Sequence, residues 1–504
     1  MIRTYIFRLP LLAAFLLLSG GTQLYAQATT TPASISNQIE QPEVEMHIRF
    51  LASDELEGRD VGTRGIELAA QYLATYFQAW NLNTLPNMEG YRQRVPFQQS
   101  QPPRQGSLKI GDQDFTLDEE FVVRQGQNGK LQGTVVVMEW GTEAEIKSNQ
   151  IKGKWVIAKA GTEAGASPQA QLTASADKQK RLQELGALGL IEIYQNQQTS
   201  WKQLTPYLMG SKFQLASSNA SSPPSTFPLI WVNDLSNNLL QSLKNKKQPQ
   251  VTFSISGKEE QTLYSSNILA VVEGSDPQLK EEYVLLSAHY DHVGIGRAVN
   301  GDSIYNGARD NAVGVTALLM AAQYFSKHPP KRSIIIAAWT AEEKGLLGSR
   351  WFAEHTPVPL SQIIFNLNID GAGYNDTTKV TVIGLERTEA EADLQAAAQA
   401  FGLQAIQDPV PQQNLFDRSD NVHFAKAGIP SPTYSMGITA FDAALMQYYH
   451  QPADEAEGIN FSYVTRYIHS YIFAAEKIAG SPKAPFWIGG DKYEAAGKNL
   501  YNKK

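Results

Sequence analysis

From about residue 265 onward the chain alternates apolar runs with amphipathic stretches, and this alternation restricts the fold more than any other feature. "NILAVVEG", "YVLLSAHY", "SIIIAAWT" and "IIFNLNID" read as buried strands. "NAVGVTALLMAAQYFSKH" reads as a helix stopped by Pro329-Pro330. Strands separated by helices predict an α/β fold with a largely parallel sheet. In such sheets ligands bind beyond the carboxyl ends of the strands.

Three of the runs end in residue types that bind metals. "YVLL" leads into His289-Tyr290-Asp291-His292, "SIIIAAWTA" into Glu342-Glu343, and "IIFNLNI" into Asp370. Asp310 opens the helix after "NGAR", and His450 stands in "YYHQPADE". Only eight histidines occur in 504 residues, and there is no cysteine, so any metal must be held by imidazole and carboxylate. Taken singly, each residue has another reading. Asp310 could cap its helix, Glu342-Glu343 could be a solvated pair, His450 a loop histidine and His289 a hydrogen-bonded core residue. Taken together at one sheet edge, they suit two divalent ions. If Asp310 bridges, His289 and Asp370 serve one ion, and Glu343 and His450 the other. Asp291, two residues after His289, is placed to orient its imidazole. Glu342 precedes a ligand yet is free to take a proton, as a general base must be.

The flanking chain sets the domain organisation. Residues 1–28 combine two arginines, an apolar stretch Leu9–Leu18 and small residues around Ala26-Gln27-Ala28, the order of a secretory signal peptide. The apolar stretch falls short of the roughly 20 residues that span a bilayer, so no stable membrane insertion is expected, a signal anchor being the alternative. Losing two arginines moves the net charge from −7 to about −9, which offers nucleic acid no basic footprint. Residues 29–43 read as a disordered leader. Residues 44–114 and 256–480 read as one α/β domain, interrupted by a β-rich module at 115–255 and followed by a tail at 481–504. The loop "ELEGRDVGTRG" lies between two expected helices and could line a cleft.

"AHYDH", "NGARDNAVG", "TAEEKGLLGS", "LNID" and "YHQPAD" resemble, in order and spacing, the M28 family of zinc peptidases. The resemblance covers roughly residues 44–110 and 256–480. It implies a zinc exopeptidase fold, an α/β/α sandwich, with two Zn2+ ions per chain and usually aminopeptidase activity on peptide or protein N-termini. His289, Asp310, Glu343, Asp370 and His450 match the family's ligands, and Glu342 its base. "LASDELEGRDVGTRG" looks like the N-terminal stretch of secreted bacterial members, and residues 131–255 resemble an inserted protease-associated (PA) domain. "LFDRSDNVHFAKAGIPSPTYSMG" matches a substrate-side loop in outline, with Tyr434 and Asp420 as candidates for the oxyanion-stabilising group. The expectation is therefore an exported dizinc aminopeptidase. A single-zinc glutaminyl cyclotransferase on the same fold and an inactive receptor-like relative are the alternatives. The former typically has aspartate-glycine before the paired glutamates and aspartate-serine at the bridging position, where this chain has "TAEE" and "RDNAVG". Oligomeric state, the preferred N-terminal residue and any inhibitory role of leader or tail are left open.

Overall fold

The computed structural model describes residues 31–502 apart from 89, 164–167, 196–199, 217–225, 236–237 and 245. The expected signal peptide lies outside the described residues. The apolar runs form the centre of a nine-stranded mixed sheet. Its order is Gln404–Ile406, Lys379–Ile383, Thr433–Met436, Ile363–Ile369, Tyr283–His289, Ser333–Trp339, Glu260–Val272, Arg92–Ser100 and Lys212–Leu215. Tyr283–His289 pairs in parallel with both Ser333–Trp339 and Ile363–Ile369, so three adjacent strands end at the same edge.

Successive side chains of these strands enter two different cores, as the twofold period of a strand requires. Ile334, Ile336 and Ala338 pack with helices Gln41–Leu51, Arg64–Ala79, Val313–Lys327, Glu391–Ala400 and Phe461–Gly480. Ile335, Ala337 and Trp339 face the other way, toward Phe352 and Phe424 on helices Leu347–Glu354 and Asn421–Ala427. Helices on both faces explain why the strands are buried at nearly every position, including the polar Ser287, Asn366 and Asn368. The result is the α/β/α sandwich.

Two boundaries differ from expectation. Residues 29–43 were expected to be disordered, but Pro32–Ser36 is a helix and Gln41 begins the next. Polar composition conceals Ile35 and Ile39, four residues apart and both buried in the main core. His469 accordingly reaches the Ile39 carbonyl at 2.8 Å. The inserted module begins nearer 105 than 115, because Gln105–Ile110 and Gln113–Thr116 pair within a second, eight-stranded sheet. That sheet has its own core, built around Trp155, Ile191, Ile230 and Phe253. One short strand, Lys212–Leu215, returns from within the insertion to the edge of the main sheet. The tail packs on the body: Trp487 is buried and donates to the Gly428 carbonyl at 2.9 Å.

Arg92–Ser100 and Glu260–Val272 stay paired in antiparallel register as far as Ser100 opposite Glu260. The two ends of the insertion therefore face each other across one rung of the ladder, a separation that a two-residue hairpin turn spans. Replacing residues 101–259 by Asn-Gly should leave a chain that unfolds in one cooperative calorimetric transition. A non-cooperative melt would show that the main sheet needs the module to fold.

Candidate metal centre

Apart from His450, which follows the short helix Ala443–Met446, each donor is delivered by the end of a strand or by a turn that a buried aspartate holds. His289 is the last residue of its strand, and Tyr290, Asp291 and His292 follow it, all buried. After Trp339 the chain turns at Ala341, whose φ of 60° is left-handed, and presents Glu342 and Glu343. The Asp291 carboxylate accepts from the backbone N–H of Glu342 at 3.0 Å and of Glu343 at 3.2 Å, fixing that turn. Asp370 follows Ile369, and its carbonyl accepts from Ser435 Oγ.

Asp310 does not cap its helix. The side chain that accepts from the first turn of helix Val313–Lys327 is Asn311, from the Gly314 N–H at 3.2 Å, and Asp310 has non-helical angles. Its turn is held instead by Asp454, whose carboxylate accepts from the Arg309 N–H at 3.0 Å and the Asp310 N–H at 3.1 Å and pairs with the Arg309 guanidinium at 2.8 Å.

Two groups of donors result. In the first, His289 Nε2 lies 3.2 Å from Asp310 Oδ1 and 3.3 Å from Asp370 Oδ1. In the second, His450 Nε2 lies 3.3 Å from Asp310 Oδ2 and 3.1 Å from Glu343 Oε1, with His292 Nδ1 2.9 Å from the same Glu343 oxygen. Within each group one donor atom per residue lies inside 4.8 Å of all the others. The Asp310 carboxylate thus offers one oxygen to each group. The expected partnership of Asp291 with His289 takes another form: its carboxylate is 3.9 Å from Nδ1, while its main-chain carbonyl is 3.1 Å away. A carbonyl can only accept, so Nδ1 donates to it; burial would lower the imidazole, but Glu342, Asp310 and Asp370 outweigh it and hold it well above its usual value.

These donors fit a divalent cation. Glu343 Oε1 and both ring nitrogens of His292 are buried without a hydrogen-bond partner, although Oε1 and Nδ1 are only 2.9 Å apart. Buried polar atoms left unpaired are costly, and lone pairs that converge without bonding each other suit a cation between them. Nitrogen and oxygen donors without thiolate suit zinc. Burial alone would lower the His450 imidazole, but Asp310 and Glu343 outweigh it and lift it to about 10. Burial would raise Glu343, but His292 and His450 pull it down to about 2. Glu342 is different: burial, reinforced by Asp370, Glu343 and Asp420 against the pull of His289, holds its carboxyl well above the usual carboxylate range.

A cleft of about 110 Å3 opens on the site. Asp310, Glu342, Glu343, Asp370, Ser419, Thr433, Ser435, Tyr449 and His450 are its polar lining, and Ala372, Ile383, Leu415, Ile438 and Phe441 its apolar wall, with Arg418 also lining it. The described lining residues include none after His450. Tyr434 lies elsewhere: it is fully buried, with its hydroxyl 2.9 Å from Ser470 Oγ and its ring against Tyr467 and Tyr471. Asp420 is also buried; it accepts from Ser349 Oγ, and burial, reinforced by Asp370 and Asp291, pushes it up to about 7. Sequence reasoning assigned no role to His292, Tyr449 or Asp454. All three sit inside the quoted motifs or beside a ligand, which was the available signal. Tyr449 precedes His450, and its ring stacks on that imidazole with centroids 4.1 Å apart.

Residues 267–472 match the family model described as peptidase family M28. A vacuolar membrane protease of Saccharomyces cerevisiae (strain ATCC 204508 / S288c) is 38% identical over 128 residues, 25% of this chain and 12% of that protein. Aminopeptidase YwaD of Bacillus subtilis (strain 168) is 25% identical over 289 residues, 56% of this chain and 55% of that protein. The chain therefore spans only part of the length of the curated relatives it matches. An aminopeptidase from Aneurinibacillus sp. strain AM-1 superposes with a TM-score of 0.60 at 20% identity, covering 90% of this chain and 97% of that one. BSAP, a zinc aminopeptidase from Bacillus subtilis, gives 0.50 at 19% identity with the same coverage. These two share the fold. The family match runs through every strand end and turn that carries a donor, so it is residues 267–472, the part of the chain that holds the site, that match peptidase family M28.

Proposed function

We propose that this protein is a dizinc aminopeptidase that removes apolar N-terminal residues from peptides. The observation that carries this reading is the Asp310 carboxylate, whose two oxygens face different histidines, His289 at 3.2 Å and His450 at 3.3 Å. His289 and Asp370 would complete the holding of one ion, and Glu343, His450 and the adjacent His292 that of the other. Zinc bound there would supply Lewis acidity toward a carbonyl and lower the pKa of water.

The chain's own groups supply the rest. Glu342 accepts a proton from the attacking water and returns it to the departing amine, a task suited to a carboxyl whose pKa is raised. Burial first, then Asp310, Glu343 and Asp370, keep the Tyr449 phenol protonated, so it is a hydrogen-bond donor available to the substrate carbonyl oxygen. A cleft of about 110 Å3 is far below the several hundred Å3 of a drug-sized pocket and accommodates a single side chain. Its apolar wall favours aliphatic and aromatic residues, and the carboxylates of Glu342 and Asp370 are the groups suited to a terminal ammonium. The basic, apolar and small-residue order of residues 1–28 supports export. Among the described residues no helix is long and apolar enough to cross a membrane. The module at about 105–256, likened above to a PA domain, would shape access to the cleft.

Aminoacyl reporter substrates test the activity. Leucyl and phenylalanyl substrates should be cleaved, N-blocked ones should not, and a chelator should abolish turnover reversibly with zinc. Cleavage of blocked peptides, or indifference to chelator, would exclude the proposal. One zinc per chain together with cyclisation of N-terminal glutamine would point to the cyclotransferase.

The adjacent glutamates should separate. Glu342→Gln keeps shape and should keep both zinc ions while turnover falls by about 10²–10⁴. Glu343→Gln should weaken one zinc and regain activity in excess metal. Zinc analysis and turnover of both variants decide between base and ligand. A Glu342→Gln enzyme with near-normal turnover contradicts the assignment.

Metal content should also distinguish the shared carboxylate from a terminal ligand. Asp310→Ala should lose both ions, His450→Ala mainly one, by atomic absorption on folded protein. Equal losses in the two variants would argue against bridging.

A further inference from the structure

The N-terminal loop "ELEGRDVGTRG" places a charge under the metal centre. Arg59 is 1% exposed, and its guanidinium bonds to backbone carbonyls on three separate segments. Nε donates to Tyr290 O at 2.9 Å. Nη1 donates to Asn306 O at 2.7 Å and to Leu51 O, and Nη2 donates to Gly307 O at 3.0 Å. Tyr290 lies between His289 and Asp291, and Gly307 lies three residues before Asp310. The Arg59 carbonyl in turn accepts from the His292 N–H at 3.3 Å.

The loop is built to hold this position. Glu57, Gly58 and Arg59 all have left-handed φ, at 48°, 66° and 53°. A Cβ on Gly58 would meet Tyr305 O at 2.4 Å and Gly294 O at 2.8 Å, so the backbone is pressed against the hairpin joining His292 to Asp310. All four acceptors of the guanidinium are uncharged. Burial lowers its pKa to about 10, with Asp291, Asp310, Asp454 and Glu343 acting in its favour, so it keeps its proton.

We propose that Arg59 is a positioning residue of the metal centre: it ties the His289–His292 turn to the Asn306–Asp310 turn and sets a fixed positive charge beneath the carboxylates that hold the ions. A planar fork with five donors can bond divergent carbonyls simultaneously, whereas a lysine ammonium has three donors at one point. This inference rests on the metal-centre reading given above.

The test uses the full chain and three variants: Arg59→Met, Arg59→Lys and, as control, Arg332→Met. Arg332 is another buried arginine, bonded to Glu282 at 2.7 Å and standing at the opposite end of the Ser333–Trp339 strand. Zinc affinity is measured by chelator competition, and site geometry by the visible spectrum of the cobalt-substituted protein, with thermal melts for fold. Arg59→Met should weaken zinc by about 10–100-fold, the span typical of groups that orient metal ligands. Arg59→Lys should recover part of that affinity through its charge, yet show an altered cobalt spectrum and a kcat that falls more than KM rises. Arg332→Met should lower the melting temperature and leave affinity and spectrum unchanged. Wild-type affinity and spectrum in Arg59→Met would overturn the proposal, as would the same losses in Arg332→Met. If Arg59→Met does not fold, an Arg59→Lys protein with unaltered spectrum and affinity overturns it. A wild-type chain that binds no zinc would refute the metal-centre reading, and this proposal with it.

Discussion

The structure depends on keeping a crowd of carboxylates at one edge of an apolar sheet. Asp291, Asp310, Glu342, Glu343, Asp370, Asp420 and Asp454 gather where three parallel strands end, and removing each such ion from water carries a penalty of about several kcal/mol. Separate devices offset it. Asp291 and Asp454 accept from backbone N–H groups, Asp454 also pairs with Arg309, and His289, His292 and His450 face the remaining oxygens. Arg59 adds charge from below. The same contacts that make the crowd tolerable also fix its geometry, so stability and the placing of the donor atoms are aspects of one arrangement.

That arrangement separates two classes of carboxylate that a sequence shows alike. Asp291 and Asp454 have their oxygens turned to backbone N–H groups of the turns that carry Glu342, Glu343 and Asp310. Asp310 and Glu343 have theirs turned to imidazoles. The first class holds the chain and the second is free to hold an ion. Glu342 belongs to neither, and its raised pKa reflects burial among like charges rather than a partner.

This division explains what was legible in the sequence. His289, Asp310, Glu342, Glu343 and Asp370 could be picked out because metal-binding types stood at the ends of apolar runs or beside a helix start, and a parallel sheet brings such ends together, whereas His450 stood out only within "YHQPAD". The sandwich was legible for the same reason, since runs that are apolar on both alternating sets of positions need cover on both faces. The supports were not legible, because a side chain bonding to a backbone group leaves no pattern at the backbone position. Asp291 reaches 51 residues ahead, Asp454 reaches 144 back, and Arg59 reaches across 231. Ile35 and Ile39 were hidden differently: two apolar residues in a polar stretch suffice when a core already exists to receive them.

The register of the outer strands bears on the inserted module. Glu260–Val272 runs antiparallel to Ser333–Trp339, with Val272 opposite Ile334 and Ile268 opposite Ala338. Residues 260–266 therefore continue beyond Trp339, past the edge where Glu342 and Glu343 emerge, still paired to Arg92–Ser100. The two strands form an arm that carries the insertion outward from the cleft end of the sheet, not from the opposite end. Lys344, the residue after Glu343, binds Asp60 at 2.7 Å and lies 5.5 Å from the Phe213 ring on the short returning strand. A module rooted there can restrict what approaches the cleft without contributing a donor to it, which is the division of labour expected when catalysis is built on strand ends and selectivity on loops and insertions.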